Sequence, residues 1–175
     1  MTILHADPAM LPVILEIENE AFTCPWSEKS FAEAFEAQNI TVYAAVAEDG
    51  SVAGFSCLMW YADEGEILNI AVRESARKNG VGGQLMNAML TEGAADGVRT
   101  FFLEVRESNT AARRLYEKNG FEILGVRKRY YSKPVEDAVI MRKTIRKAHI
   151  IVTWIQEQGA HRGNQMKHWP RKGIR

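Results

Sequence analysis

The segment Arg77-Lys78-Asn79-Gly80-Val81-Gly82-Gly83 constrains this chain more than any other. It follows the apolar run Ile70-Ala71-Val72. It precedes Leu85, Met86, Met89 and Leu90, whose spacing predicts a helix ending near Asp96-Gly97. A strand that turns through glycines into a helix leaves backbone N–H groups unpaired at the helix start. The helix dipole adds partial positive charge there, and glycines let an anion approach the backbone. With Arg77 and Lys78 alongside, a phosphate or pyrophosphate is the predicted ligand; a plain tight turn is the alternative. The loop lacks the Lys-Ser/Thr ending of a P-loop, which argues against an NTPase. Two helices and several strands precede it, whereas a dinucleotide fingerprint usually opens its βαβ unit.

The rest of the chain reads as alternating elements. Leu11, Ile14, Leu15, Ile17 and Phe22 recur at helical spacing after Asp7-Pro8, an N-cap and first turn. Cys24-Pro25-Trp26 breaks that helix, and Ser27 starts a second one carrying Phe31, Ala34 and Phe35. Thr41–Ala47 and Val52–Tyr61 predict a hairpin around Glu48-Asp49-Gly50-Ser51, and Glu66–Val72 a further strand. Thr100–Arg106 is another strand. Ser108 is the expected cap of a helix over Asn109–Asn119, which Gly120 stops. Phe121–Val126 and Ala138–Met141 complete the set, separated by a predicted loop containing Arg127 to Pro134. The implied class is α/β: a mixed sheet with helices on its faces, built from two βα crossovers.

A chain of 175 residues predicts one domain. No apolar run reaches the roughly 20 residues that span a bilayer, and the N-terminus lacks the pattern of a secretory signal. Cys24 and Cys57 offer no disulfide framework, so a reduced, cytoplasmic setting is expected. The four histidines are too scattered to suggest a metal site, and none is expected. Formal net charge is +0, yet residues 1–72 hold twelve carboxylates against Lys29 alone. Such a field favours basic ligands, although a solvated acidic surface accounts for it equally. Residues 147–175 are basic and read as an extension that is partly disordered. Contact with nucleic acid, or folding over the acidic half, is the functional alternative for that tail.

Four stretches then resemble one family. Asn69-Ile70-Ala71-Val72, Arg77-Lys78-Asn79-Gly80-Val81-Gly82, Leu103-Glu104-Val105-Arg106-Glu107-Ser108-Asn109 and Leu115-Tyr116-Glu117-Lys118-Asn119-Gly120-Phe121 are similar to the GCN5-related N-acetyltransferases, or GNAT superfamily. Phe22 with Pro25-Trp26-Ser27, Arg129-Tyr130-Tyr131 and Glu136-Asp137-Ala138-Val139-Ile140-Met141 resemble its group acting on the N-terminal alanine of ribosomal proteins. The likeness covers about residues 3–145. It implies a GNAT domain over 1–146, with a mixed, mostly antiparallel sheet flanked by helices and acetyl-CoA bound where the central strands splay.

The resemblance also implies roles. Ile70, Ala71 and Val72 offer backbone groups to the pantetheine and the reacting carbonyl. Lys78, Asn79, Gly80, Val81, Gly82 and Gly83 cradle the pyrophosphate, and Asn109 bonds the pantetheine arm. Gly83 departs from relatives that carry Arg or Ala there. Glu104 is the expected base, its pKa raised by burial; a carboxylate paired with Arg106 or Arg73 is the alternative. Tyr116, two helical turns beyond Asn109, is the expected acid toward the departing sulfur, and Val72 N–H an oxyanion donor. Trp26, Glu64 and Tyr131 are expected to line the acceptor groove, with Asp63 favouring a basic peptide; packing between helices is the other reading of Trp26. The implied acceptor is a protein N-terminus, with a lysine side chain, a small amine, or a non-catalytic acyl-CoA-binding module as alternatives. An α-amine, with a pKa of about 7.7–8.0, needs less help than a lysine at about 10.4.

Overall fold

Asp7 accepts a hydrogen bond from the N–H of Ala9 at 2.7 Å and starts a short 3-10 turn over Pro8–Met10. Helix α1 (Leu11–Ala21) continues from it. Ser27 accepts from the N–H of Ser30 and caps α2 (Glu28–Glu36), as its sequence predicts. The computed structural model describes residues 1–145, so the basic extension expected over 147–175 lies outside the described residues. Among these residues, no helix is long and apolar enough to cross a membrane.

Among the described residues, seven strands form one sheet: β1 (Thr2–His5), β2 (Ile40–Val46), β3 (Val52–Tyr61), β4 (Glu64–Val72), β5 (Thr100–Arg106), β6 (Glu122–Ser132) and β7 (Val135–Thr144). Their spatial order is β1-β2-β3-β4-β5-β7-β6. Every neighbouring pair is antiparallel except β4 and β5. Helix α3 (Val81–Ala95) makes the crossover between those two, and α4 (Thr110–Lys118) connects β5 to β6. β7 returns between β5 and β6, so the second crossover reaches past one strand.

Two differences from the sequence reading concern the edges. β1 is an unpredicted strand, four residues long and paired to Tyr43–Val46. At the other edge, Arg127–Pro134 is not a simple loop, because β6 continues to Ser132. The pairing jumps from Arg127↔Ala138 to Tyr131↔Glu136, bulging out the residues between. Asp137 pins the bulge: it accepts from Lys128 Nζ at 2.6 Å and from the N–H of Arg129 at 2.8 Å, and Arg129 takes φ of 54°.

The core lies on both faces of the sheet. Leu85, Met86 and Met89 of α3 and Tyr116 of α4 pack with Phe101, Leu103 and Val105. Gly93 permits the close approach of α3, since a Cβ there would lie 2.9 Å from the Phe101 ring. On the other face, Ile14, Ile17 and Phe31 of α1 and α2 cover Val42, Ala44, Phe55 and Cys57. These two helices pack on β2, β3 and β4. The same face of β5 carries Phe102 and Glu104, which remain half-buried.

Candidate active site

The parallel pairing of β4 with β5 runs from Glu64↔Thr100 to Ile67↔Leu103 and stops. Leu68 interrupts the ladder to β3, where the register passes from Cys57↔Asn69 to Leu58↔Ile67. Beyond that bulge β4 follows β3 while β5 follows β7, so the sheet opens between Leu68–Val72 and Glu104–Arg106. A bulge bends its strand and strengthens the local twist, which is the physical origin of the cleft. Ile70, Ala71 and Val72 form one wall.

The glycine loop lies at the end of that wall. Lys78 and Gly80 both take left-handed backbone, with φ of 65° and 79°. Among the described residues no side chain caps α3, and the first helical bond is from Gln84 N–H to Gly80 O at 3.1 Å. The N–H groups of Val81, Gly82 and Gly83 therefore lack helical acceptors. Val81 is buried and anchors the turn. A Cβ on Gly82 would lie 3.3 Å from Leu115, whereas one on Gly83 would meet nothing within 4 Å. Lys78 and Asn79 are exposed beside these donors. Arg77 differs from expectation: its Nε donates to Val72 O at 3.1 Å, and a guanidinium nitrogen lies 4.0 Å from Glu20. Its charge is directed toward α1.

Glu104 departs from its sequence reading in its surroundings. Burial in apolar surroundings is predicted for this carboxylate; instead Arg127 lies 2.8 Å away, and the Glu104 side chain keeps 21% of its exposure. Neither Arg106 nor Arg73 is its partner. Arg106 pairs with Glu136 at 3.2 Å, and Arg73 reaches Glu16 at 2.8 Å and Val52 O at 3.1 Å. The Tyr130 phenol has its pKa raised, first by hydrogen bonding to Glu104 and then by burial.

Asn109, rather than Ser108, caps α4: its Oδ1 accepts from the N–H of Ala112 at 3.1 Å. The Ser108 N–H is taken by Glu136. The Asn109 side-chain NH2 can donate to a ligand while Oδ1 makes the cap. Two turns along, Tyr116 is 6% exposed, and burial, then the neighbouring Tyr131, pushes its pKa up. Tyr131 is half-buried and raised by burial, then by the charge of Glu104. Tyr131 thus feels the charge of Glu104 and in turn bears on Tyr116.

A cavity of about 290 Å³ opens beside this point, lined by Glu64, Glu66 and Glu104 with Arg127 and the apolar Met59 and Phe102. Glu64 and Glu104 therefore share one groove. Neither Trp26 nor Tyr131 is among its lining residues: the Tyr131 ring lies under the Arg106 guanidinium, while the Trp26 ring packs against Phe31 at 5.3 Å and its backbone N–H donates to buried Glu18 at 2.8 Å. Glu66 and Arg127 are absent from the sequence reading. Glu66 was within reach of it, being two residues from Glu64 on one strand and hence on the same face. Arg127 sat in the predicted loop.

Residues 11–121 match the family model described as Acetyltransferase (GNAT) family. The chain belongs to the GNAT family. The ribosomal protein bS18-alanine N-acetyltransferase of Escherichia coli K12 is 36% identical over 142 residues, covering 80% of this chain and 95% of that protein. The crystal structure of the ribosomal-protein-alanine N-acetyltransferase from Escherichia coli superimposes with a TM-score of 0.77 at 34% identity. It covers 86% of this chain and 97% of that one. Ard1 from Thermoplasma volcanium gives 0.75 at 29% identity, over 83% and 98% of the two chains. GNAT enzymes use acetyl-CoA as co-substrate. The uncapped N–H groups at α3, the side-chain-free approach over Gly80 and Gly83, and the opened β4–β5 cleft suit its pyrophosphate and its extended arm.

Proposed function

We propose that this GNAT enzyme transfers the acetyl group of acetyl-CoA to the α-amine of a protein beginning with alanine, with a small-subunit ribosomal protein as its natural acceptor. The observation that supports the chemistry is Glu104 standing in an acidic groove just where the β4–β5 pairing ends, with the buried Tyr116 on α4. The likeness to bS18-alanine N-acetyltransferases over most of both chains supports the choice of acceptor.

In this reading Glu104 takes the proton from the attacking amine, directly or through a water. The new C–N bond forms as the C–S bond breaks. The Val72 N–H stabilises the oxygen that gains charge, and Tyr116 returns a proton to the departing sulfur. Burial holds the Tyr116 phenol in its protonated form, as a donor must be. Ile70 and Ala71 align the arm of acetyl-CoA, and Asn109 donates to it. Lys78 and the backbone from Asn79 to Gly83 hold the pyrophosphate. Glu64, Glu66 and Glu104 make the groove acidic, which suits a basic N-terminal segment. Tyr131 orders that segment, and Trp26 acts at one remove by bracing the loop before α2.

The same acidity favours a second reading, in which a lysine side chain or a polyamine is acetylated. A non-catalytic acyl-CoA-binding module would not need all three of Glu104, Asn109 and Tyr116. The test compares intact masses of small-subunit ribosomal proteins from cells with and without this chain. One such protein that begins with alanine should lose its acetyl group when the chain is removed. Unchanged masses throughout would contradict the ribosomal assignment.

A further inference from the structure

Arg106 stands at the end of β5, where the sheet has opened, and its side chain gathers three separate parts of the molecule. One guanidinium nitrogen donates to Pro134 O at 3.3 Å and to Glu136 Oε2 at 3.2 Å. The other donates to Lys133 O at 3.0 Å and to Thr23 Oγ1 at 3.2 Å. The guanidinium also lies over the Tyr131 ring, 4.1 Å from its centroid. Thr23, in the segment between α1 and α2, donates in turn to Lys133 O at 3.1 Å. One side chain thus joins that segment to the turn between β6 and β7 and packs on the Tyr131 ring.

The chemistry requires arginine. A planar fork can satisfy the turn carbonyls, the Thr23 hydroxyl and the Glu136 carboxylate together while stacking on an aromatic face; a lysine ammonium cannot. The Arg106 side chain is 20% exposed, and its bond to Glu136 is part-buried. On the acetyl-CoA side, Asn109 is fixed by its own cap on α4 rather than by the Arg106 side chain.

We infer that Arg106 is a positioning residue for the acceptor: it ties the α1–α2 segment to the β6–β7 turn and fixes the Tyr131 ring between them, without holding acetyl-CoA. This rests on the transfer reading above. The test combines hydrogen exchange with steady-state kinetics on the full chain. In Arg106→Met, residues 22–27 and 128–137 should exchange faster together, while the start of α3 keeps its protection. The KM for an alanine-starting basic peptide should rise about 10–100-fold, with the Kd for acetyl-CoA changed by less than about twofold. Arg106→Lys should recover part of the loss. Thr23→Val, at an exposed position, should show the same signs at smaller size even if Arg106→Met does not fold. Unchanged exchange in both segments, or equal losses toward peptide and acetyl-CoA, would overturn the inference. A wild-type chain that ignores the peptide would instead refute the transfer reading, and the exchange data would still decide the role of Arg106.

Discussion

Arg127 and Glu104 form an ion pair 2.8 Å long at the groove, the arginine 54% exposed and the carboxylate 21%. The guanidinium occupies the kind of position an acceptor ammonium would take beside that carboxylate. Removing it leaves Glu64, Glu66 and Glu104 without the one positive charge that the described residues contribute to the cavity lining. Arg127→Gln should lower the KM for a basic peptide about fivefold, the equivalent of ~1 kcal/mol between partly solvated charges. The gain should shrink with added salt. A rise in KM would contradict this relation.

Glu104→Gln should reduce kcat about 10²–10⁴-fold while acetyl-CoA binding persists, and Tyr116→Phe should also lower kcat. Because burial raises the Tyr116 phenol above its usual value of 10.0, its loss of a proton should not limit the rate below that pH. Parallel loss of acetyl-CoA binding, measured by calorimetry, would place these residues in ligand binding instead.

Gly83 and Gly80 should respond oppositely to alanine. At Gly83 the added Cβ meets open space within helical backbone, so Gly83→Ala should stabilise the fold by about 0.5–1 kcal/mol. At Gly80 the φ of 79° penalises any side chain, so Gly80→Ala should destabilise it by about 1 kcal/mol and weaken acetyl-CoA binding. Denaturant midpoints and a binding titration check both.

Acid and burial act in opposite senses at two places. The Ser108 N–H holds Glu136, and Lys128 holds Asp137, below their usual values of 4.5 and 3.8. Their stabilisation is present above those values and is lost as pH falls through the lower folded ones. The β6–β7 hairpin should therefore lose exchange protection at acid pH. Glu18 is raised by burial, so its contribution is full below 4.5 and lost as pH rises through its raised value. The Tm of Glu18→Gln relative to wild type should improve as pH rises from about 4.5 toward 7. A constant difference across that range would exclude this assignment.

Local chemistry accounts for what could be read in advance. Asp7 and Ser27 cap through bonds two and three residues away, and Gly80 opens α3 by its own backbone, so those elements were legible. The cap of α4 was off by one residue, because Ser108 and Asn109 are both capping types and only Glu136 decides between them. β1 is too short for a periodic signal. The β6 bulge hides in a run of basic residues whose anchor, Asp137, belongs to another strand. The partners of Glu104 and Arg106 escaped for the same reason: they lie 23 to 83 residues away along the chain. Trp26 could be read either way, and its contact with Phe31 puts it in the packing between helices.

The most direct test is intact-mass spectrometry after incubation with acetyl-CoA and three acceptors. These are a basic peptide beginning with alanine, its Nα-blocked twin containing lysine, and spermidine. One acetyl group gained by the free alanine peptide alone is the predicted result. Acetylation confined to the blocked peptide or to spermidine would contradict Nα-transfer.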